Sequence, residues 1–407
     1  MRTNIHSPLA QTAAGAIAEE VLRACVHCGM CNATCPTYQL TGDELDGPRG
    51  RIYLIKQVLE GEPIGRLTQT HLDRCLSCRA CETTCPSGVE YHRLFDVGRR
   101  EVADRVRRPW GERLARAAIR WLVPHPARFA PFMALARAIR FALPAALARR
   151  VPARVAPGAA PAMAPARMVL LAGCAQAVAA GHFNAATRRV FDHIGVGLAE
   201  APAAGCCGAL SAHLDAPDEA RAFARRNIAA WTAELDAGAE AIVVNASGCA
   251  AFIRDYPDLF AEDPAMRARA TRIAAAVRDP IEVLGTADLG PTRPPTNPRI
   301  AVHDPCTLQH GARLGGRIAA LLAKLGYQPQ PVADGRLCCG SAGAYSLLQP
   351  KLARRLRADK LAALTAHQPT AIYTANIGCW LHMAETSPVP VRHWLEAVDD
   401  LLRPAAP

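Results

Sequence analysis

The sequence predicts a multi-domain protein, an N-terminal all-α ferredoxin-like module followed by two α/β cysteine-rich units. Three observations predict it. Cys25, Cys28, Cys31 and Cys35 return fifty residues later as Cys75, Cys78, Cys81 and Cys85. A second duplication sets Cys174, a Cys206-Cys207-Gly208 triplet and Cys249 against Cys306, Cys338-Cys339-Gly340 and Cys379, with a first gap of 32 residues in both halves. Across this second repeat, short β-rich runs alternate with helical ones. The two repeats use all sixteen cysteines, and 407 residues are enough for two or three domains with cores of their own.

Residues 1–104 form the first unit. Between its cysteine motifs runs GDELDGPRGRIYLIKQVLEGE, where Ile52, Ile55 and Leu59 recur at helical spacing and hairpin signals are few. Residues 105–165 are a connector that stores the charge surplus. The chain has 47 basic and 36 acidic residues, a net +11, and between Arg105 and Arg154 twelve arginines face one acid, Glu112. An even basic coat is thereby excluded, and no DNA-binding motif accompanies the arginines, so no nucleic-acid partner is expected.

Within the connector, Trp110, Leu114, Ala117 and Trp121 recur at helical spacing, with Arg113, Arg116 and Arg120 on another side. Phe129, Phe132, Met133, Ala136, Ile139 and Leu143 suggest a second amphipathic helix. Pro124, Pro126, Pro131 and Pro144 are expected to break the stretch into short helices that lie on a surface. Two uses of it stand: an Arg/Trp/Phe face for anionic lipid headgroups, or a face packed on a neighbouring domain with its arginines solvated. A Pro/Ala/Gly linker spans about 151–166.

The α/β units occupy 166–290 and 291–407, with PTRPPTNP at 291–298 between them. RMVLLAGC and AIVVNASGC in the first, RIAVHDPC and AIYTANIGC in the second, each read as a strand that delivers a cysteine at its C-terminal end. DEARAFARRNIAAWTAEL and PKLARRLRADKLAALTA supply helical crossovers between parallel strands. No window reaches the eighteen or more apolar residues of a spanning helix, and the N-terminus carries no secretory signal. The expected location is cytoplasmic, peripheral on the inner face of the cell membrane.

CVHCGMCNATCP and CLSCRACETTCP both match C-x2-C-x2-C-x3-C-P, the run that holds cubane clusters in two-cluster ferredoxins. Three closely spaced thiolates wrap one cube, while the fourth, displaced by a turn and stopped by proline, points to the other. Two [4Fe-4S] clusters are expected, one on Cys25, Cys28, Cys31 and Cys85, the second on Cys75, Cys78, Cys81 and Cys35. Structural zinc usually takes two separated CxxC pairs instead. No G-x-G-x-x-G follows a strand and no P-loop is present, so neither flavin nor NAD has a seat, and no catalytic residue is assigned.

The Cys-Cys-Gly halves admit a metal site, a vicinal disulfide or simple burial, and Gly208 and Gly340 would let the backbone approach a cluster closely. These units resemble the cysteine-rich (CCG) domains of heterodisulfide reductase and its relatives. There the motif ends in CxxC. Here Ala246 and Asn376 stand three residues before Cys249 and Cys379, and Phe252 and His382 three after, so that pair is absent from both halves. Cys174, Cys206, Cys207, Cys249, Cys306, Cys338, Cys339 and Cys379 are candidate ligands for one or two further clusters. His382 is a substitute ligand or a satisfied helical histidine. His303 and Asp304 lie at a strand end near a possible site, where an Asp most often reads as a turn residue, and Arg49 and Arg51 face a cluster, a partner or solvent.

Over nearly its whole length the chain resembles the glycolate oxidase iron-sulfur subunits. The resemblance implies an electron-transfer subunit working with flavoprotein subunits that oxidise glycolate to glyoxylate. The amphipathic arginine-rich connector adds the expectation of a membrane quinone as acceptor. Alternatives are the iron-sulfur subunit of another flavin dehydrogenase, acting on glycerol-3-phosphate or lactate, and a heterodisulfide-reductase-like enzyme.

Overall fold

Apolar residues at helical spacing and the absence of alternating runs make the first hundred residues helical. The computed structural model describes residues 1–5, 8–158 and 164–403. Helices Ala13–Ala24, Pro36–Thr41, Pro48–Leu59, Arg66–Asp73, Ala80–Thr84 and Tyr91–Arg105 build the N-terminal module, with no strand among its described residues. Leu22, Ile55, Leu59, Leu72, Leu94 and Phe95 bury fully between them. Pro48–Leu59 and Tyr91–Arg105 approach so closely at Gly98 that a Cβ there would lie 2.5 Å from Ile55. Pro36, which follows the last cysteine of the first motif, opens Pro36–Thr41 at its first position, where no amide hydrogen is needed.

The connector forms helices Trp110–Leu122 and Pro126–Ala138. Pro131 does not break the second helix as expected but lies inside it. Its ring deprives the Ala127 carbonyl of a helical donor, and Ala127 is exposed, so water can take that place. More consequentially, Trp110–Leu122 is turned inside out. Its one buried residue is Arg116, while Trp110, Leu114 and Trp121 are 80%, 61% and 52% exposed. Arg108 and Arg116 reach inward to Asp73 of the helical module and Asp215 of the first α/β unit, where Arg99 also binds. The expectation of solvated connector arginines therefore fails at Arg108 and Arg116. A carboxylate pair from two neighbouring domains draws these guanidinium groups in and leaves the indoles in water. Residues 159–163 of the expected linker lie outside the described residues.

Each α/β unit is a four-stranded parallel sheet. In the first, β1 (Ala166–Leu170), β2 (Gly197–Ala199), β3 (Ala241–Val243) and β4 (Val277–Arg278) run in the order β2-β1-β3-β4. In the second, β5 (Arg299–His303), β6 (Gln328–Pro329), β7 (Ala371–Thr374) and β8 (Val391–His393) repeat it as β6-β5-β7-β8. The central strands β3 and β7 are buried at every residue, as helix-covered parallel strands must be. The apolar packing crosses the 291–298 connection: Leu170, Phe191 and Ile281 of one unit share a core with Ile300, Ile318 and Trp394 of the other. Arg189 on helix Gly181–His193 pairs with Asp399 on Trp394–Leu402 at 2.8 Å. Cys174 and Cys306 follow β1 and β5, and Cys249 and Cys379 stand in the first turn of the helices after β3 and β7, on the side where open parallel sheets form their sites.

Candidate metal centres

The two N-terminal motifs fold alike because each loop makes the same two left-handed excursions. In the first they fall at His27 (φ 60) and Gly29 (φ 84), in the second at Ser77 (φ 50) and Arg79 (φ 59). Three of the four are not glycine. Strained residues in consecutive loops of one kind turn backbone N–H groups inward, and the Ser77 amide donates to Cys75 Sγ at 3.5 Å.

The sulfurs gather in two mixed groups. Cys25, Cys28, Cys31 and Cys85 line one cavity, Cys35, Cys75 and Cys78 line another, and Cys81 borders both. Burial pushes the Cys31 thiol up to about 11, with Cys25, Cys85 and Cys28 adding to it. Burial likewise drives the Cys81 thiol well above its ordinary value, and Cys78, Cys75 and Cys35 act in the same direction. Each fourth cysteine thus stands with the first three of the other motif. A metal that binds such a thiol takes the proton's place and makes it a thiolate ligand.

Cations stand beside both groups. Arg51, 1% exposed, donates from Nε to the His71 carbonyl at 2.8 Å and from both terminal nitrogens to Thr37 Oγ1 at 3.2 Å. Its Nη1 lies 4.0 Å from Cys35 Sγ. Burial opposes its charge, but Cys75, Tyr91, Cys35 and Asp46 together hold its pKa above the ordinary arginine value. The fully buried Asp46 accepts from His71 Nδ1 and Arg74 Nη1, both at 2.8 Å. Asp43, Asp46 and His71 come within 4.8 Å of one another. With two guanidinium groups on Asp46, that trio is an ion-pair network rather than a cation site. Arg49 serves the other group more loosely, pairing with Glu44 at 2.6 Å and pressing against Gly29.

The C-terminal cysteines also converge. In the second unit Cys306 Sγ lies 4.0 Å from Cys338 Sγ, and contacts continue through Cys339 to Cys379. In the first unit the same chain runs from Cys174 through Cys206 and Cys207 to Cys249. Gly208 (φ 91) and Gly340 (φ 86) are left-handed, and their amides donate back to Cys206 Sγ at 3.5 Å and Cys338 Sγ at 3.4 Å. The second unit abuts the helical module. Cys78, Cys306, Cys338, Leu76 and Tyr345 pack in one cluster, and Cys306 leads the charges acting on Cys78.

His382 reads as a satisfied helical histidine, its Nε2 sitting 3.2 Å from the Ala353 carbonyl. His303 stands beside two of the cysteines, its ring nitrogen, Cys339 Sγ and Cys379 Sγ all within 4.8 Å of one another. Asp304, as expected of a turn residue, accepts from the Gly316 amide at 2.7 Å. Sequence reasoning passed over Lys360, which is 4% exposed and feels all four cysteines of the second unit. The signal was there, since Ala353, Leu356, Lys360 and Leu364 recur at intervals of three and four along one buried helical face. Arg51 lies on the face of Ile55 and Leu59 in the same way.

Residues 21–89 match the family described as 4Fe-4S dicluster domain, and residues 168–254 and 300–384 match Cysteine-rich domain. The chain is 46% identical over 404 residues to the glycolate oxidase iron-sulfur subunit of Escherichia coli (strain K12), covering 99% of each protein. It is 31% identical over 401 residues to the probable glycolate oxidase iron-sulfur subunit of Bacillus subtilis (strain 168), covering 90% of this chain and 89% of that one. A lactate utilization protein A from Exiguobacterium sp. is 26% identical over 233 residues, 54% of this chain and 91% of that relative. The dicluster match spans all eight N-terminal cysteines, and the chain is an iron–sulfur protein.

Proposed function

The chain belongs to the family of glycolate oxidase iron-sulfur subunits, and on that premise we propose that it carries electrons from a flavin on partner subunits, reduced by glycolate, to a membrane quinone. The observation that carries this is the crossing of the two motifs, each fourth cysteine facing the other motif's first three. Cys25, Cys28, Cys31 and Cys85 would hold one [4Fe-4S] cluster, and Cys75, Cys78, Cys81 and Cys35 the other. Bound there, such clusters supply one-electron chemistry with potentials set by charge, hydrogen bonding and solvent exposure.

The chain's own residues do the rest. Arg51 and Arg49 provide compensating charge, and Tyr91 Oη and the Ser77 amide hydrogen-bond to Cys75 Sγ. Cys28 is exposed between Val26 and Met30, themselves 69% and 54% exposed, an apolar rim suited to a flavoprotein partner. Cys78 lies at the opposite, interior end, against the second α/β unit. The outward Trp110, Leu114, Trp121, Phe132 and Phe141, flanked by exposed Arg107, Arg113, Arg128 and Arg140, suit the anionic inner face of the cell membrane.

The test uses the complex with its flavoprotein subunits. Cys28→Ser and Cys85→Ser should abolish the same spectroscopic centre and stop quinone reduction, while glycolate still reduces the flavin. Unchanged quinone turnover, or a Cys85→Ser spectrum matching Cys75→Ser rather than Cys28→Ser, overturns the proposal.

A further inference from the structure

The cavity lined by Cys35, Cys75 and Cys78 has a volume of about 710 Å³ and runs on between the helical module and the first α/β unit. One wall is helix Tyr91–Arg105, and the other is helix Ser247–Arg254 with the turns that follow it. The sulfurs occupy one end. From there the lining continues past Leu76, Phe95, Phe252, Leu259 and Phe260, residues of two domains that ligation of the cysteines does not account for. A concave space of this size, mostly apolar with a few convergent polar groups, is what a small organic ligand requires.

The polar groups say which kind of ligand. Arg79 pairs with Asp255, Arg93 with Asp258 at 3.4 Å, and Arg99 with Asp215 at 2.6 Å. Each of these cations is answered by a carboxylate, so the pairs offer no free charge to an organic acid and leave room for a neutral ring. Donors without acceptors remain. The His213 imidazole stands 6.4 Å from the Phe252 ring, and among the described residues neither of its nitrogens has a hydrogen-bond partner. Burial, with Arg99 and Arg79 adding to it, lowers its pKa to about 4, so at neutral pH the ring is uncharged and carries one N–H. His213, Arg99, Cys75, Leu76 and Ser77 also border a smaller hollow of about 50 Å³, which Tyr345 lines as well. The Tyr345 hydroxyl is buried without a partner, which an interior hydroxyl rarely is.

The rim of the large cavity lies beside the connector. Arg100 and Asp104, on the helix that leads into it, line the cavity together with Pro217 and Arg221. Glu219, between those last two, pairs with Arg120 of helix Trp110–Leu122 at 3.4 Å, and Arg116 of the same helix lines the smaller hollow. The helix that turns Trp110, Leu114 and Trp121 outward is therefore fastened to the cavity's edge.

Resting on the electron-transfer function proposed above, we infer that this cavity is the site of quinone reduction, with the ring against Phe95 and Phe252, a carbonyl oxygen accepting from His213, and the tail leaving past Pro217 towards the connector helix. Cys75 and Cys78 belong to the lining, so a ring held there meets the ligands of the cluster proposed at Cys35, Cys75, Cys78 and Cys81. Each C=O of the quinone becomes C–OH. The two electrons are those that glycolate loses on becoming glyoxylate, arriving singly by way of that cluster, and the two protons come from water at the rim.

The test uses the complex with its flavoprotein subunits, a short-tailed benzoquinone and a short-tailed naphthoquinone as acceptors, and ferricyanide as a hydrophilic comparison. Ala103→Trp adds bulk to the cavity wall and removes only a methyl group, while His213→Leu keeps bulk and removes the N–H. Each should raise the KM for quinone by about tenfold, the worth of one good hydrogen bond or contact, with ferricyanide turnover, cluster EPR signals and melting temperature unchanged. A photoactivated azidoquinone should label helices Tyr91–Arg105 and Ser247–Arg254, and excess parent quinone should protect them. Should Ala103→Trp fail to fold, His213→Leu and the labelling decide. An unchanged quinone KM in either folded variant, or labelling confined to the second α/β unit or the connector, overturns this inference and leaves the earlier reading standing. A wild-type complex that passes glycolate's electrons to ferricyanide but to no quinone sinks the quinone acceptor proposed earlier instead.

Discussion

Replacing Arg51 by Met removes a buried unit charge while keeping an unbranched side chain of similar reach. The guanidinium Nη1 is 4.0 Å from Cys35 Sγ. At that distance and an effective dielectric of ~20, one charge pair is worth about 4 kcal/mol. Spreading the cluster's extra electron over four thiolates and the metal core halves this, to about 2 kcal/mol, or roughly 90 mV for a one-electron couple. The sign is fixed by electrostatics. A cation favours the reduced, more negative form, so its loss should make the cluster proposed at Cys35, Cys75, Cys78 and Cys81 harder to reduce. Asp46 adds to the effect, since it keeps His71 and Arg74 but loses Arg51 at 3.7 Å. An EPR-monitored redox titration reads the shift, with the centre at Cys25, Cys28, Cys31 and Cys85 as internal reference. Arg51→Lys, which keeps the charge, should recover most of it. A fold check comes first, because breaking a buried ion pair costs about 3–5 kcal/mol. A folded Arg51→Met protein whose potential moves by less than roughly 20 mV, or moves upward, would refute the electrostatic argument.

Two further outcomes follow from the connector. Replacing Trp110 and Trp121 by Ser should leave thermal stability nearly unchanged, since both are mostly exposed. Binding to anionic vesicles should fall by about tenfold or more per indole, each contributing roughly 1.5–3 kcal/mol when buried in lipid; sedimentation with anionic against neutral vesicles measures it, and undiminished binding would place the membrane contact elsewhere. Asp215→Ala leaves Arg99, Arg108 and Arg116 short of a shared carboxylate and should destabilise the protein by about 3–5 kcal/mol in denaturant titration. Burial pushes the Asp215 carboxyl up, but the three arginines outweigh it and hold it below the usual 3.8. Its contribution is therefore complete above about pH 4 and lost as pH falls through the depressed value, so the gap between wild type and Asp215→Ala should close in acid.

Much of the molecule was legible in one dimension because the evidence for it is periodic. The C-x2-C-x2-C-x3-C-P runs marked the eight cysteines of a dicluster domain, since short spacings leave few ways to wrap a cube. Alternating strand and helix runs, duplicated with the cysteines, foretold two parallel sheets. The amphipathic period of Trp110, Leu114 and Trp121 was equally plain. A period says that one face differs from the other, yet it does not say which face turns inward. That choice fell to Asp73 and Asp215, far apart in sequence, which draw in Arg108 and Arg116 and leave the indoles outside.

The same limit explains the residues that were undervalued. Arg51, Lys360 and His303 act on thiols distant along the chain, so their charge and hydrogen bonds acquire meaning only when helices and strands bring them to a buried sulfur. His382, three residues from a cysteine, was the nearer guess, but its helix turns it to the Ala353 carbonyl. Fold class and the iron–sulfur character of the chain were written in local spacing, because covalent geometry fixes what neighbours can reach. Which face meets solvent was decided by the tertiary structure, because desolvation and Coulomb energies depend on distance through space rather than along the chain.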